Sequence, residues 1–561
     1  MTKILRNTVW FNVCLAFFCV GLTAAVTPNA NLTPDQLATR FLAQATFGPS
    51  PTSLAEIQAI GYDYNAWITQ QAALPVTTSV PLLHAAKVAD TTITSFSSSH
   101  NRRARNQIML TAPDQLRQRV AYALSQILVI SDNDSNISGA QEGSSNYYDM
   151  LARNALGNFN TLLMDVTRHP MMGRYLSHYK NRKTNPTTGT RPDENFAREV
   201  MQLFTIGLYL LNPNGTHQND ANGRPLESYT NDDITEFARV FTGFTDESTN
   251  NTGTGTGRLD FPSATSNYTA PMRMWENQHD IASKKLLSYT GARKLTLPAA
   301  QTGLVDVQDA IDNLVEHPNT APFISRLLIQ RLVTSSPTAA YVGRVAAVFV
   351  NNGQGVRGDL LAVVRAILTD SEARDVSFIT DPAHGKLQEP FLRLTQLLRA
   401  FRFSVSAGTL PYDFGYNFTE NTMGQFPLGS PSVFNFYSPD FAPDGAINQA
   451  GLVAPEFQIL NSVFSVTFPN AVYNLIQNGA GQFTLDIAEQ ETLAADATQL
   501  LDNLNLYLTH GTMSTETRAA LTTALSKVTA AMVPSGSTLG RTKARLAIHL
   551  IALSPDFVIL K

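Results

Sequence analysis

Residues 116–130, LRQRVAYALSQILVI, decide the fold. Leu116, Val120, Ala123, Leu124, Ile127 and Leu128 recur at three- and four-residue spacing, so they share one face of a helix. Arg117, Arg119 and Gln126 fall off that stripe. The same periodicity runs through residues 37–45, 54–60, 147–167, 310–314, 321–333, 339–350, 359–369, 387–401, 493–507, 516–532 and 541–553. Few stretches alternate as strands do. The expected class is therefore mainly α, a large multi-helix globular assembly with short hairpin and loop excursions. Thr230 three residues before Asp233, ahead of an apolar run, predicts a helix start with a capping box. Two turn signals, Asn212-Pro-Asn-Gly215 and Asp220-Ala-Asn-Gly223, predict a small hairpin excursion over residues 211–229. Residues 245–259, rich in Gly and Thr, read as a mobile loop. Their glycine spacing is not a nucleotide fingerprint, because no strand precedes it and no helix follows.

The chain has 561 residues, 43% hydrophobic and 15% charged, enough to bury one large core or two ordinary ones. With 41 Lys and Arg against 45 acids it offers no broad basic surface, which argues against a nucleic-acid partner. Lys3 and Arg6, the apolar run over residues 9–22 and the small residues Thr23, Ala24 and Ala25 form the three parts of a secretory signal peptide. An uncleaved N-terminal anchor is the competing reading, although the run is shorter than the roughly 20 apolar residues of a membrane span. Both cysteines, Cys14 and Cys19, lie in this segment, so cleavage leaves a chain without thiols. The expected organisation is a signal peptide at 1–25, a main helical domain at 26–480 and a C-terminal helical segment at 481–561 packed on it. The protein is expected in the periplasm or outside the cell, without a stable membrane span once the signal is removed.

Several segments together resemble one bacterial family: RFLAQATFG at 40–48, PDENFAREVMQLFTIG at 192–207, YTNDDI at 229–234, FTGF at 241–244, His279-Asp280 with Lys284, and PSVFNFY at 431–437. The chain is similar to the family called domain of unknown function 1800 from about Leu37 to its C-terminus. The resemblance implies an exported, mostly helical protein, with a partner from a second exported family, domain of unknown function 1501, often encoded beside it. It assigns no catalytic residue.

Candidate chemistry is read from the residues themselves. Asn195, Glu199, Gln202 and Ile206 follow the spacing of one helical face, with Arg198 beside Glu199 and large apolar side chains on the flanks. One reading makes Glu199 a general acid or base and Arg198 a binder of anions or carbonyls. The other is a structural Asn-Arg-Glu-Gln network that sets how helices cross. His279 and Asp280 with Lys284 form a second polar group, because a histidine beside a carboxylate can move protons near neutral pH. The candidate catalytic set is thus Glu199, Arg198, Asn195, His279 and Asp280. Gln202, Lys284, Asn435 and Tyr437 are the candidate ligand-binding side chains. Residues 423–443 concentrate Phe426, Phe434, Phe436, Tyr437 and Phe441 among prolines, either to stack on a sugar or partner or to plug the core, and plugging is the expectation.

No His-Glu-x-x-His, Gly-x-Ser-x-Gly or Gly-Lys-Ser signature is present, so no cofactor is expected. Asp132, Asp134, Asn136 and Ser138 match alternate positions of a calcium loop, although Ile137 stands where its glycine belongs and Gly143 where its bidentate glutamate belongs, so these four are a partial calcium candidate whose alternative is a solvated loop. Two functions follow: an exported accessory or binding protein acting on or beside an envelope or extracellular polymer with an exported partner, and an acid-base hydrolase or lyase using Glu199 and Arg198 on a glycan or ester.

Overall fold

The computed structural model describes residues 28–247, 260–261, 266–408, 410–415 and 418–561. The N-terminal stretch read as a signal peptide and most of the Gly/Thr-rich 245–259 stretch lie outside them. The decisive stretch is a helix over Gln115–Ser125 that turns on to Leu128, and every side chain of the apolar stripe is buried. Around it the molecule is mainly helical, with four two-stranded antiparallel sheets among the described residues. No helix of the described residues is long and apolar enough to cross a membrane.

Most helix expectations hold within a few residues, as in Ala339–Val350, Leu360–Thr369 and Leu539–Ala552. Residues 147–167 are instead two helices, Gln141–Asn154 and Phe159–Arg168. Between them Asn158 caps the second by accepting from the Asn160 amide. The Thr230 capping box is present, each side chain holding the other's backbone amide. Residues 209–227 form the expected excursion, with Tyr209 bridged to Glu227, Leu211 to His217 and Asn219 to Pro225.

One contiguous apolar core runs from Ala38 in the first described helix, Pro34–Ala45, to Phe557 near the C-terminus. The C-terminal segment shares it: Leu539–Ala552 packs on Phe464–Asn478 and Ala488–Leu493, and Ala497–Tyr507 packs on Pro34–Ala45. Arg40 ties both ends together. Buried at 1% exposure, it donates through Nε to the Lys561 carbonyl at 2.6 Å and through Nη1 to that of Ala373 at 2.7 Å. A buried guanidinium needs such acceptors because desolvation otherwise disfavours its charge, and burial with the neighbouring Arg374 lowers its pKa to about 9.

The pairing that matters for the site is Lys386–Leu387 with Ile559–Leu560. It sets Glu389 at the N-terminus of helix Pro390–Ala400, facing Gln115–Ser125 and the end of helix Thr320–Leu332.

Candidate functional site

Helix Asn195–Gln202 is shorter than the 195–206 stripe, and its polar residues diverge. Asn195 is exposed. Arg198 is half-exposed and 3.6 Å from Glu194. Glu199 is buried, and its Oε2 has no hydrogen-bond partner. Burial pushes its carboxyl above the ordinary range, opposed by the Arg198 charge. Gln202 accepts from the Tyr229 hydroxyl at 3.1 Å.

His279, Asp280 and Lys284 are drawn to two different partners. His279 Nε2 lies 3.0 Å and Lys284 Nζ 2.6 Å from the same oxygen of Asp306, and all three side chains are buried. His279 Nδ1 faces the Thr242 carbonyl at 2.9 Å, so both ring nitrogens point at acceptors. Burial raises the Asp306 pKa, but the bonds from His279 and Lys284 outweigh it and hold the carboxyl below its usual range. Asp280 turns to Arg239, whose Nε donates to it at 2.9 Å. No hydrogen bond or ion pair connects these groups to Glu199 among the described residues.

The calcium-like loop carries turn and ion-pair chemistry. Asp134 accepts from the Asn136 amide, and Asp132 is 3.3 Å from the buried Arg105 guanidinium. Asp132 and Ser138 also line a recess of about 190 Å3 shared with Arg102 and Arg105, so a cation there would compete with two arginines. Among the described residues no group of three or more His, Cys, Asp or Glu side chains is placed to hold a metal ion.

The strongest concentration of buried charge surrounds Glu389. Its two oxygens accept from the hydroxyls of Tyr122 at 2.8 Å and Tyr437 at 3.0 Å, from Gln126 Nε2 at 2.5 Å and from Gln425 Nε2. Lys386 Nζ is 3.6 Å away and reaches Glu456 at 2.9 Å, and Ser335 donates to the other oxygen of Glu456 at 2.7 Å. Burial pushes the Glu389 pKa up. The charge of Lys386, then those of Arg119 and Arg331, reverse that and hold it below the usual carboxylate range. A position at a helix N-terminus adds to the effect. Tyr122 and Tyr437 are driven far the other way by burial and by the adjacent carboxylate, so both remain phenols that donate.

Three buried side chains of this network, Gln126, Arg331 and Tyr437, also line a cavity of about 280 Å3. Gly207, Leu211, Phe323 and Leu327 line it from the sides, and Tyr209, Phe434 and Asp440 at the rim. Phe434 is 56% exposed while Phe426 and Tyr437 are buried, so the aromatic segment both plugs the core and presents a ring outward. Gln202 and Tyr437, two of the candidate ligand-binding side chains, meet here. Asn435 lines a small adjoining recess, and Lys284 and Glu199 are not among the lining residues.

The family model described as Protein of unknown function (DUF1800) matches residues 40–559. The chain belongs to the DUF1800 family. Neither the curated proteins nor the solved structures contain a match. Within this DUF1800 chain the residues missed by sequence reasoning are Arg119, Arg331, Glu389, Glu456 and Asp306. Only Lys386 and Glu389, three apart before Pro390, left a local trace of an ion pair.

Proposed function

We propose that the protein is an exported accessory or binding protein, acting on or beside an envelope or extracellular polymer with an exported partner of the domain of unknown function 1501 family. Its ligand would sit in the cavity floored by Gln126, Arg331 and Tyr437. The supporting observation is that Gln202 and Tyr437, far apart in the chain, line one hollow with apolar walls, a few polar groups at the base and exposed rings at the mouth. That combination suits capture of a ring-shaped unit of a polymer. Export is supported by the basic, apolar and small-residue segments at 1–25.

The test is co-sedimentation of the purified protein with the host's envelope and extracellular polymer fractions. Phe434→Ala and Tyr209→Ala remove exposed rings at 56% and 39% exposure, so they should abolish retention without lowering Tm. Retention unchanged in both would end this reading.

An acid-base reading has one observation of its own, the partnerless and desolvated carboxyl oxygen of Glu199. It requires that Glu199→Gln abolish turnover of a glycan or ester while leaving Tm intact.

A further inference from the structure

The floor of the cavity is unbalanced in both charge and hydrogen bonding. Arg119, Arg331 and Lys386 face Glu389 and Glu456, leaving one buried positive charge in excess, and all five side chains are at most 2% exposed. Lys386 is satisfied by Glu456 and by the Gln330 carbonyl at 2.9 Å. Arg119 spends one nitrogen on the Arg331 carbonyl at 2.5 Å. Arg331, which lines the cavity, has no protein acceptor on Nε or Nη1. A guanidinium enclosed in this way is costly unless an anion completes it.

Gln126 has the opposite deficit. Its Nε2 must face Glu389, which fixes the amide orientation, and its Oε1 is then buried without a donor. Both side chains line the cavity, so a guanidinium short of acceptors and an amide oxygen short of a donor border one hollow. The volume of about 280 Å3 is at the small end for ligand sites and suits one ring-sized unit. At the rim Asp440 already holds Arg326 at 2.5 Å, so the free cationic capacity lies deeper, at Arg331.

We infer that this cavity binds a hydroxylated carboxylate, an acidic sugar unit, whose carboxylate is taken by Arg331 and one of whose hydroxyls donates to Gln126. Arg331 supplies a planar fork that matches a carboxylate, and Phe434 and Tyr209 cover the ring. The inference rests on the cavity being the binding site proposed above, and specifies what that site selects.

The experiment titrates the full chain with D-glucuronate, D-glucose and acetate, read by saturation-transfer NMR and by Tm. Glucuronate is expected to bind and raise Tm, glucose to bind at least about tenfold more weakly, and acetate, lacking a ring, not to bind measurably. Arg331→Gln should weaken glucuronate by about tenfold or more and leave glucose unchanged. Because Arg331 is buried, Asp440→Asn provides a second variant at an exposed position. It removes a rim carboxylate and should tighten glucuronate by a few-fold with no effect on glucose. If glucose and glucuronate bind alike and neither substitution separates them, the acidic-sugar inference falls and the cavity reading stands. If none of the three probes binds, both fall.

Discussion

The Arg331 guanidinium stands 4.5 Å from the centre of the Tyr437 ring, and the hydroxyl of that ring donates to Glu389 at 3.0 Å. Tyr437 therefore works from two sides: its face meets a buried cation whose side chain lines the cavity, and its edge completes a buried anion. The carboxylate is closed off by four neutral donors, so its charge is held by hydrogen bonds as much as by ion pairs.

Removing only the hydroxyl separates these two roles. In Tyr437→Phe the ring stays under Arg331 while Glu389 loses one of its donors. A hydrogen bond to a charged group contributes about 1.5–3 kcal/mol, so chemical denaturation should show a loss in that range. Tyr437→Ala also removes the packed ring and should cost about 3–5 kcal/mol. Equal losses in the two variants would contradict the division of roles.

The Asp306 cluster allows a sharper test of what His279 and Lys284 do. Asp306→Ala leaves Lys284 buried with no carboxylate, and breaking a buried pair from one side costs about 3–5 kcal/mol. Lys284→Met with Asp306→Leu removes both charges and should recover part of that loss, the remainder reflecting His279 and Gln301, which also lose Asp306 as an acceptor. Such recovery, measured by urea unfolding, identifies the pair as packing. A double variant as unstable as Asp306→Ala would rule that out.

Local pattern made the helices legible and left the charge network unreadable. The stripe at 116–130, the Thr230 capping box and the two Asn-Gly turns are each set by neighbours within a few residues, so each appears where expected. Helix Ser98–Thr111 was missed because its buried face includes Asn101, Arg105 and Asn106, which find partners at Gln141, Asp132 and Tyr412 rather than presenting an apolar stripe. Glu389 is the extreme case. Its partners come from residues 122, 126, 386, 425 and 437, and their convergence depends on how helices cross, which periodicity does not encode. On helix Asn195–Gln202 the stripe did find a buried carboxylate, but of its polar residues only Gln202 lines the cavity.

Acid should unfold the protein through its histidines before its carboxylates. Burial is the leading cause that lowers His178, His317, His384 and His549 to about 4 and His169 and His510 to about 3. Between those values and the unfolded value of about 6.5 the unfolded chain binds more protons. The contribution is therefore complete above about pH 6.5 and is lost as pH falls towards the folded pKa, at up to about 1.4 kcal/mol per pH unit for each residue. The Glu389 contribution is present above the unfolded glutamate value of about 4.3 and is lost only as pH falls through its lower folded pKa. His510 is the residue to change: its Nε2 accepts from Gln396 at 2.9 Å, which needs a neutral ring, and its φ of 54° suits asparagine. In His510→Asn the Tm should fall less between pH 7 and pH 5 than in the parent, and an unchanged pH dependence would contradict this account.

The cavity wall can also be moved without touching its polar floor. Gly207 has φ +72°, and a β-carbon built on it would lie 2.8 Å from the edge of the Phe323 ring, one of the side walls. Gly207→Ala therefore strains the backbone by about 1 kcal/mol and displaces Phe323. Phe323 is only partly buried and lines the cavity, so turning into that space is the expected way for the ring to yield. Stability should drop by about 1–3 kcal/mol, while retention on the polymer fraction should fall as far as it does in Phe434→Ala. Gly207→Ser, with the same β-carbon, should behave alike. Undiminished retention in both variants, with the stability loss present, would show that Phe323 moves away from the cavity and that this wall does not shape what binds there.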